Sequence, residues 1–161
     1  MILNIIKAMN KGQTLLDEAG IESCQLEAGM LMAHLLDCPR AYLYIDRDRV
    51  LSPEELQDYF DMVERRIQGI PIHYIIGYRE FMGLNLYVNQ NVLIPRPDTE
   101  VLVEYVIDYC KDSGNRSPKV LDIGTGSGAI AISLAKYIEN CKVTAIDIDD
   151  RALLIAEKNG I

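Results

Sequence analysis

The chain has 161 residues, 49% of them hydrophobic and 25% charged, a balance that buries a core and excludes a disordered chain. Its net charge is −8, divided as −5 over residues 1–75 and −3 over residues 76–161, so neither half is the basic block expected of a bulk DNA or RNA binder. No apolar run approaches the ~20 residues of a membrane span, and the N-terminal stretch lacks the charged start and small-residue cleavage site of a signal peptide. The expected setting is therefore cytoplasmic, with no membrane partner.

Helical patterns come first along the chain. Ile5, Ile6 and Met9, then Leu15, Leu16 and Ala19, predict one or two amphipathic helices interrupted near Gly12. Ser23 is a candidate N-cap for a helix carrying Leu26, Met30, Ala33 and Leu36. In "LSPEELQDYFDMVERRIQG", Ser52 as N-cap, Pro53 at the first helical position and Glu55 three residues on form a capping box. Leu56, Tyr59, Phe60, Val63 and Ile67 then make an apolar stripe, which Gly69 and Pro71 end. This segment holds no catalytic constellation, so its expected work is recognition.

The period changes from Gly77 onward. Leu84, Leu86 and Val88 alternate with Asn85 and Tyr87, and Gly83 supplies a turn, so residues 77–89 read as a β-hairpin. "NVLIPRPDTE" follows, with Asp98 as a candidate N-cap for a helix carrying Val101, Leu102, Tyr105, Val106 and Tyr109. After a loop at 112–118, the pattern predicts a strand over 119–123, a helix over 128–138, a strand over 142–148 and a helix over 150–158 capped by Asp149. Two strands joined by a crossover helix should be parallel.

The four cysteines, Cys24, Cys38, Cys110 and Cys141, match no zinc or redox spacing and read as small buried hydrophobes. His34 and His73 have no second ligand at metal spacing, so no metal is expected.

The chemistry concentrates in "VLDIGTGSGAIAISLAK". Glycines at 124, 126 and 128 let the backbone turn sharply and approach a ligand, and the next helix aims its first N–H groups at it. Asp147 ends the following strand, 23 residues after Gly124, where a carboxylate can take both hydroxyls of a ribose. Two ligands fit. Gly124-x-Gly126-x-x-Ala129 satisfies the dinucleotide fingerprint, and Asp122-x-Gly124-x-Gly126-x-Gly128 satisfies the pattern of S-adenosyl-L-methionine (SAM) enzymes. An acid at 122, at the mouth of the site, would oppose a pyrophosphate and favour the ammonium and sulfonium of SAM. Spacing alone leaves both open.

Taken together, these stretches resemble the protein-(glutamine-N5) methyltransferases of peptide-chain release factors, the HemK or PrmC family. The resemblance runs through "RRIQGIPIHYIIGYREFMGLNLYVNQNVLIPRPDTEVLVE", "VLDIGTGSGAIAISLA" and "VTAIDIDDRALLIAEKNG". It implies an α/β protein: a helical N-terminal bundle over 1–72 for substrate recognition, a β-hairpin linker over 73–97, and over 98–161 the βαβα start of a Rossmann-like SAM domain. It implies methylation of the side-chain amide nitrogen of a Gly-Gly-Gln glutamine, with release factors as partners. Gly124, Thr125, Gly126, Ser127 and Gly128 then match the loop around the methionine part of SAM, Asp122 its leading acid, and Asp147 the ribose acid. Arg96, Thr99 and Glu100 match the segment flanking the cofactor, although Thr99 and Glu100 equally suit the first turn of a helix.

The family's Asn-Pro-Pro-Tyr motif, which aligns the amide nitrogen with the methyl group, is absent from these 161 residues, where no two of the six prolines are adjacent. The chain by itself is therefore expected to be inactive. Only one strand is available to pair with 120–123, so self-association through the unpaired sheet edge is a further expectation. A nucleic-acid methyltransferase acting on an exocyclic amine, an NAD-dependent oxidoreductase and a non-catalytic recognition module remain as alternatives.

Overall fold

The computed structural model describes residues 3–160; Met1, Ile2 and Ile161, at the ends of the expected segments, lie outside the described residues. The chain divides into two compact units, Met1–Ile76 and Gly77–Ile161.

The first unit is helical: α1 (Ile5–Glu18), α2 (Cys24–Leu35), α3 (Tyr42–Ile45), α4 (Pro53–Ile67) and α5 (Ile72–Ile76). Asn4 caps α1 by accepting the Lys7 N–H. The capping box of α4 forms as the sequence predicts, with Ser52 Oγ accepting the Glu55 N–H at 3.1 Å and Glu55 accepting the Ser52 N–H at 2.8 Å. Glu55 also pairs with Arg49 at 2.6 Å, and the Ser52 N–H, with Arg49 behind it, holds its carboxyl below the usual range.

The core of this unit joins Ile5, Met9 and Leu16 of α1, Leu31 and Met32 of α2, Leu43 of α3, and Tyr59 and Val63 of α4. Tyr59 is fully buried and donates to the Ala28 carbonyl at 3.3 Å; burial pushes its phenol well above the ordinary value. Gly12 does not interrupt α1. It is the place where the Tyr59 phenol lies against the helix, and a Cβ there would collide with the hydroxyl and meet the ring carbon Cζ at 2.9 Å. Arg66 of α4 and Glu27 of α2 form a two-point ion pair, at 2.5 and 3.4 Å, on side chains that are mostly buried.

Several expectations for this unit are corrected. Ser23 stands at the N-cap of α2 but its side chain makes no capping hydrogen bond. The buried face of α2 is Ala28, Leu31 and Met32 rather than the stripe through Leu26, which is 44% exposed. The one-turn helices α3 and α5 are too short to show a period and were not legible in the sequence.

The second unit opens with the antiparallel hairpin β1 (Tyr78–Phe81) and β2 (Leu84–Tyr87). Met82 and Gly83 form its two-residue turn with φ of +51° and +69°, as a primed hairpin turn requires. A methionine is unusual there, and three bonds secure the turn. Glu100 accepts the Met82 N–H at 3.0 Å, Tyr137 Oη donates to the Met82 carbonyl at 2.6 Å, and Glu80 accepts the Gly83 N–H at 2.6 Å.

The remaining elements are α6 (Pro97–Asp112), β3 (Lys119–Ile123), α7 (Ala129–Tyr137), β4 (Lys142–Ile146) and α8 (Asp150–Asn159). β3 and β4 pair in parallel, Val120 opposite Val143 and Ile123 opposite Ile146. Phe81, Leu86, Val103, Ile107, Leu134 and Ile138 form the core. The fold class is therefore the expected one, a helical bundle, a hairpin and the βαβα start of a Rossmann-like sheet.

Two details differ in α6. The helix begins at Pro97, whose fixed φ and missing N–H suit the first position, so Arg96 is the N-cap and Asp98 falls in the first turn. Its buried face carries Val103 and Ile107, while Tyr105 and Tyr109 are 70% and 65% exposed. On the sheet, Leu121 and Ile123 are also exposed.

Replacing Ser52 by Ala should lower the stability of the first unit by about 1 kcal/mol, the usual effect of losing such a cap. Gly12→Ala should cost about 1–3 kcal/mol by overpacking against Tyr59. Urea unfolding followed by circular dichroism checks both; a Gly12→Ala protein as stable as the parent would contradict the packing described.

Candidate functional site

The turn between β3 and α7 is built by three glycines with positive φ: Gly124 (+77°), Gly126 (+55°) and Gly128 (+80°). Two consecutive N–H groups, those of Gly124 and Thr125, donate to the Ile146 carbonyl at 2.8 and 3.0 Å. The next, that of Gly126, donates to Asp147 Oδ2 at 2.8 Å. The end of β4 thus gathers three successive loop amides, which is why the strand stops at Ile146, short of the expected residue 148. Gly128 is the N-cap of α7, and its N–H closes the loop on the Thr125 carbonyl at 2.8 Å.

Asp147 is half-buried. Besides the Gly126 N–H, its Oδ1 accepts the Asp149 N–H at 3.1 Å. The Asp149 N–H first, then that of Gly126, hold its carboxyl below the ordinary value of 3.8. The Ile148 N–H acts on the same carboxyl in the same direction, and a carboxylate has about four acceptor positions, so it keeps capacity for a further hydroxyl donor. Asp149 caps α8 by accepting the Arg151 N–H, and Arg151 grips the same carboxylate at 2.7 and 3.0 Å.

Asp122 does not lie open at the mouth of the site. It is 9% exposed, and its Oδ2 accepts the Thr125 hydroxyl at 2.8 Å inside the loop. Its charge therefore acts from beneath the turn. Beside Gly124 and Gly126, by contrast, an added Cβ would meet no atom within 4 Å. That side of the loop is open for close approach of a ligand to the backbone. Gly128 is the opposite case: a Cβ would lie 2.8 Å from Ile132 Cδ1 and 3.1 Å from Ala156 Cβ, so this glycine lets the end of the loop lie close against Ala156 of α8.

Arg96, Thr99 and Glu100 sit together at the start of α6. Arg96 is exposed and its carbonyl accepts the Thr99 N–H at 3.0 Å, while Glu100 is engaged with the hairpin turn. Among the described residues no hydrogen bond joins these three to the glycine loop.

Asn159, just past the helix expected over 150–158, has a role that the sequence did not reveal. Its Nδ2 donates to the Ser127 and Tyr87 carbonyls, both at 2.9 Å, and its Oδ1 accepts the Tyr87 N–H at 2.8 Å. The partners lie 32 and 72 residues away, so no local signal could reveal them.

A cavity of about 630 Å³ beside Lys111, Arg116, Tyr137 and Asn140 adjoins the loops leading into β3 and β4 and contains none of these residues. Among the described residues no group of three His, Cys, Asp or Glu side chains is placed to hold a metal ion. The four cysteines are free and half-buried rather than fully buried.

The lowered carboxyl of Asp147 has a signed consequence. It contributes stability above the ordinary carboxylate value of 3.8, and that contribution is lost as pH falls through its lower folded value. Asp147→Asn should therefore destabilise the second unit near neutral pH and flatten the acid side of its pH–stability profile. Thermal unfolding of both proteins across the acid range checks this, and parallel profiles would count against it.

Comparison with known proteins bears on what this loop belongs to. The family model described as the PrmC N-terminal domain matches residues 7–77, and that described as a methyltransferase domain matches residues 120–160. Similar proteins include the release factor glutamine methyltransferases of Rhodopirellula baltica, 46% identical over 87% of this chain and 48% of the relative, and of Aliivibrio fischeri, 40% identical over 99% and 55%. That of Flavobacterium psychrophilum is 48% identical over 71% and 42%. The chain spans about half the length of the curated relatives it matches. With identity sustained through both the helical unit and the glycine loop, the chain belongs to the release factor glutamine methyltransferase family.

Proposed function

We propose that this chain supplies the cofactor site and the substrate-docking part of an enzyme that methylates the glutamine side-chain amide of the Gly-Gly-Gln motif in peptide-chain release factors. The observation that carries the reading is the Asp147 carboxylate. It is fastened to Gly126 and Asp149, beside a loop whose open face admits a ligand to its backbone.

The residues present fit SAM. Asp147 would accept from the ribose hydroxyls. Gly124 and Gly126 would let the amino-acid portion lie against the backbone, and buried Asp122 would add negative potential beneath a cationic ligand. The same acid would oppose a pyrophosphate, which favours this reading over a dinucleotide. SAM, when bound, supplies an electrophilic methyl on a sulfonium.

The acceptor is an amide nitrogen, a poor nucleophile because its lone pair is delocalised into the carbonyl. Catalysis is therefore a matter of alignment and exclusion of water. This chain's residues contribute the fixed cofactor end of that alignment. No Asn-Pro-Pro-Tyr stretch occurs in the 161 residues, so the group that orients the amide is not among them. The helical unit, acidic over residues 1–75 and without a catalytic constellation, would dock the release factor rather than DNA or bulk RNA. The exposed Leu121 and Ile123 on the sheet would favour self-association of this chain alone.

Calorimetry should show binding of S-adenosylhomocysteine and not NAD. Asp147→Ala should weaken it by ~0.5–3 kcal/mol for each lost hydrogen bond. NAD binding without a response to S-adenosylhomocysteine would overturn the cofactor assignment. In pull-downs, the chain should retain a release factor and not duplex DNA; the reverse result would remove the partner. Methyl transfer to a Gly-Gly-Gln substrate by this chain alone should be undetectable, and light scattering should show species larger than a monomer.

A further inference from the structure

We infer that Asn159 is a positioning residue for the glycine loop, tying its orientation to strand β2 of the hairpin. The inference rests on the reading of that loop as a cofactor site. Three of the four hydrogen-bonding positions of the Asn159 amide are used. On one side Oδ1 and Nδ2 take the N–H and carbonyl of Tyr87, as a neighbouring strand would. On the other side Nδ2 holds the Ser127 carbonyl at 2.9 Å.

The Ser127 carbonyl belongs to the same planar peptide as the Gly128 N–H. That N–H closes the loop on the Thr125 carbonyl at 2.8 Å. Rotation of this one peptide plane therefore breaks both bonds at once. Asn159 prevents the rotation from the carbonyl side. Ala156, one turn earlier on the same face of α8, is packed under Gly128 and leaves no room for a Cβ there. Gly128 is also the N-cap of α7, so the same plane sets where the first N–H groups of that helix point, and these have no acceptor within the helix.

The far end of the bridge is also held. The Tyr87 ring has the Lys158 ammonium 3.3 Å from its centroid and Tyr78 edge-on at 6.0 Å. Tyr87 pairs with Tyr78 in the hairpin. A displacement of the hairpin is thus passed to the glycine loop through one side-chain amide.

The test uses the 161-residue chain with Asn159→Ala and Asn159→Asp. The aspartate keeps the shape and the acceptor for the Tyr87 N–H but sets a carboxylate oxygen, with no donor near neutral pH, against the two carbonyls, so the two variants remove the same donor in different ways. Ile107→Ala, in the core of the same unit, serves as a control for general destabilisation. Amide exchange by NMR should be at least about tenfold faster at Gly126 and Gly128 in the Asn159 variants, measured against the β3 amides, while the control shifts both sets together. S-adenosylhomocysteine affinity should fall about tenfold in both Asn159 variants, in keeping with the loss of one or two bonds. Loop and β3 amides that exchange in step in the Asn159 variants would overturn the inference. A parent chain that ignores S-adenosylhomocysteine would instead sink the cofactor reading, and the exchange result would still decide the role of Asn159.

Discussion

The register between β3 and β4 is the constraint on which the candidate site depends. Ile123 lies opposite Ile146, so the first residues past each strand meet: the glycine turn on one side and Asp147 on the other. The Ile146 carbonyl and the Asp147 carboxylate then collect the N–H groups of Gly124, Thr125 and Gly126 in succession. Side chains alternate faces along a strand, so a slip of one residue would turn Asp147 away and leave those amides without acceptors. In a parallel pair the carboxyl ends of both strands lie at one edge, which is why turn and acid converge there.

The loop is held from outside as well as from within. Asp122 grips Thr125 from below, and α8 braces the far side through Ala156 and Asn159. The glycines accordingly differ in their reasons. Gly124 and Gly126 face open space, while Gly128 is filled against Ile132 and Ala156. One spaced motif combines access for a ligand with close approach of the loop to α8.

The hairpin is tied to the rest of its unit at both ends. Its turn is secured by Glu100 of α6 and Tyr137 of α7, and its last residue by Asn159 of α8. These bonds stabilise a methionine at positive φ that local preference alone would not support. Glu100 therefore has a structural task in the segment that family resemblance associates with the cofactor.

Local rules sufficed wherever the causes were local. The capping box at Ser52 and Glu55, the alternation in β2, the glycine turn, the parallel strand pair and the Asp149 cap all depend on neighbours a few residues apart or on a fixed connection. Helix faces were another matter. In α6 and α2 apolar residues occur on more than one side, so periodicity offers two stripes and only packing selects the buried one. Gly12 reads as a break until Tyr59, 47 residues later, explains it as a gap that a ring fills. The amino-acid sequence alone determined the turn chemistry, the acid at 147 and the family. Tertiary structure alone decided which face of each helix is buried and that Asn159 joins loop to hairpin. Those outcomes depend on groups far apart in the chain, whose meeting no local pattern encodes.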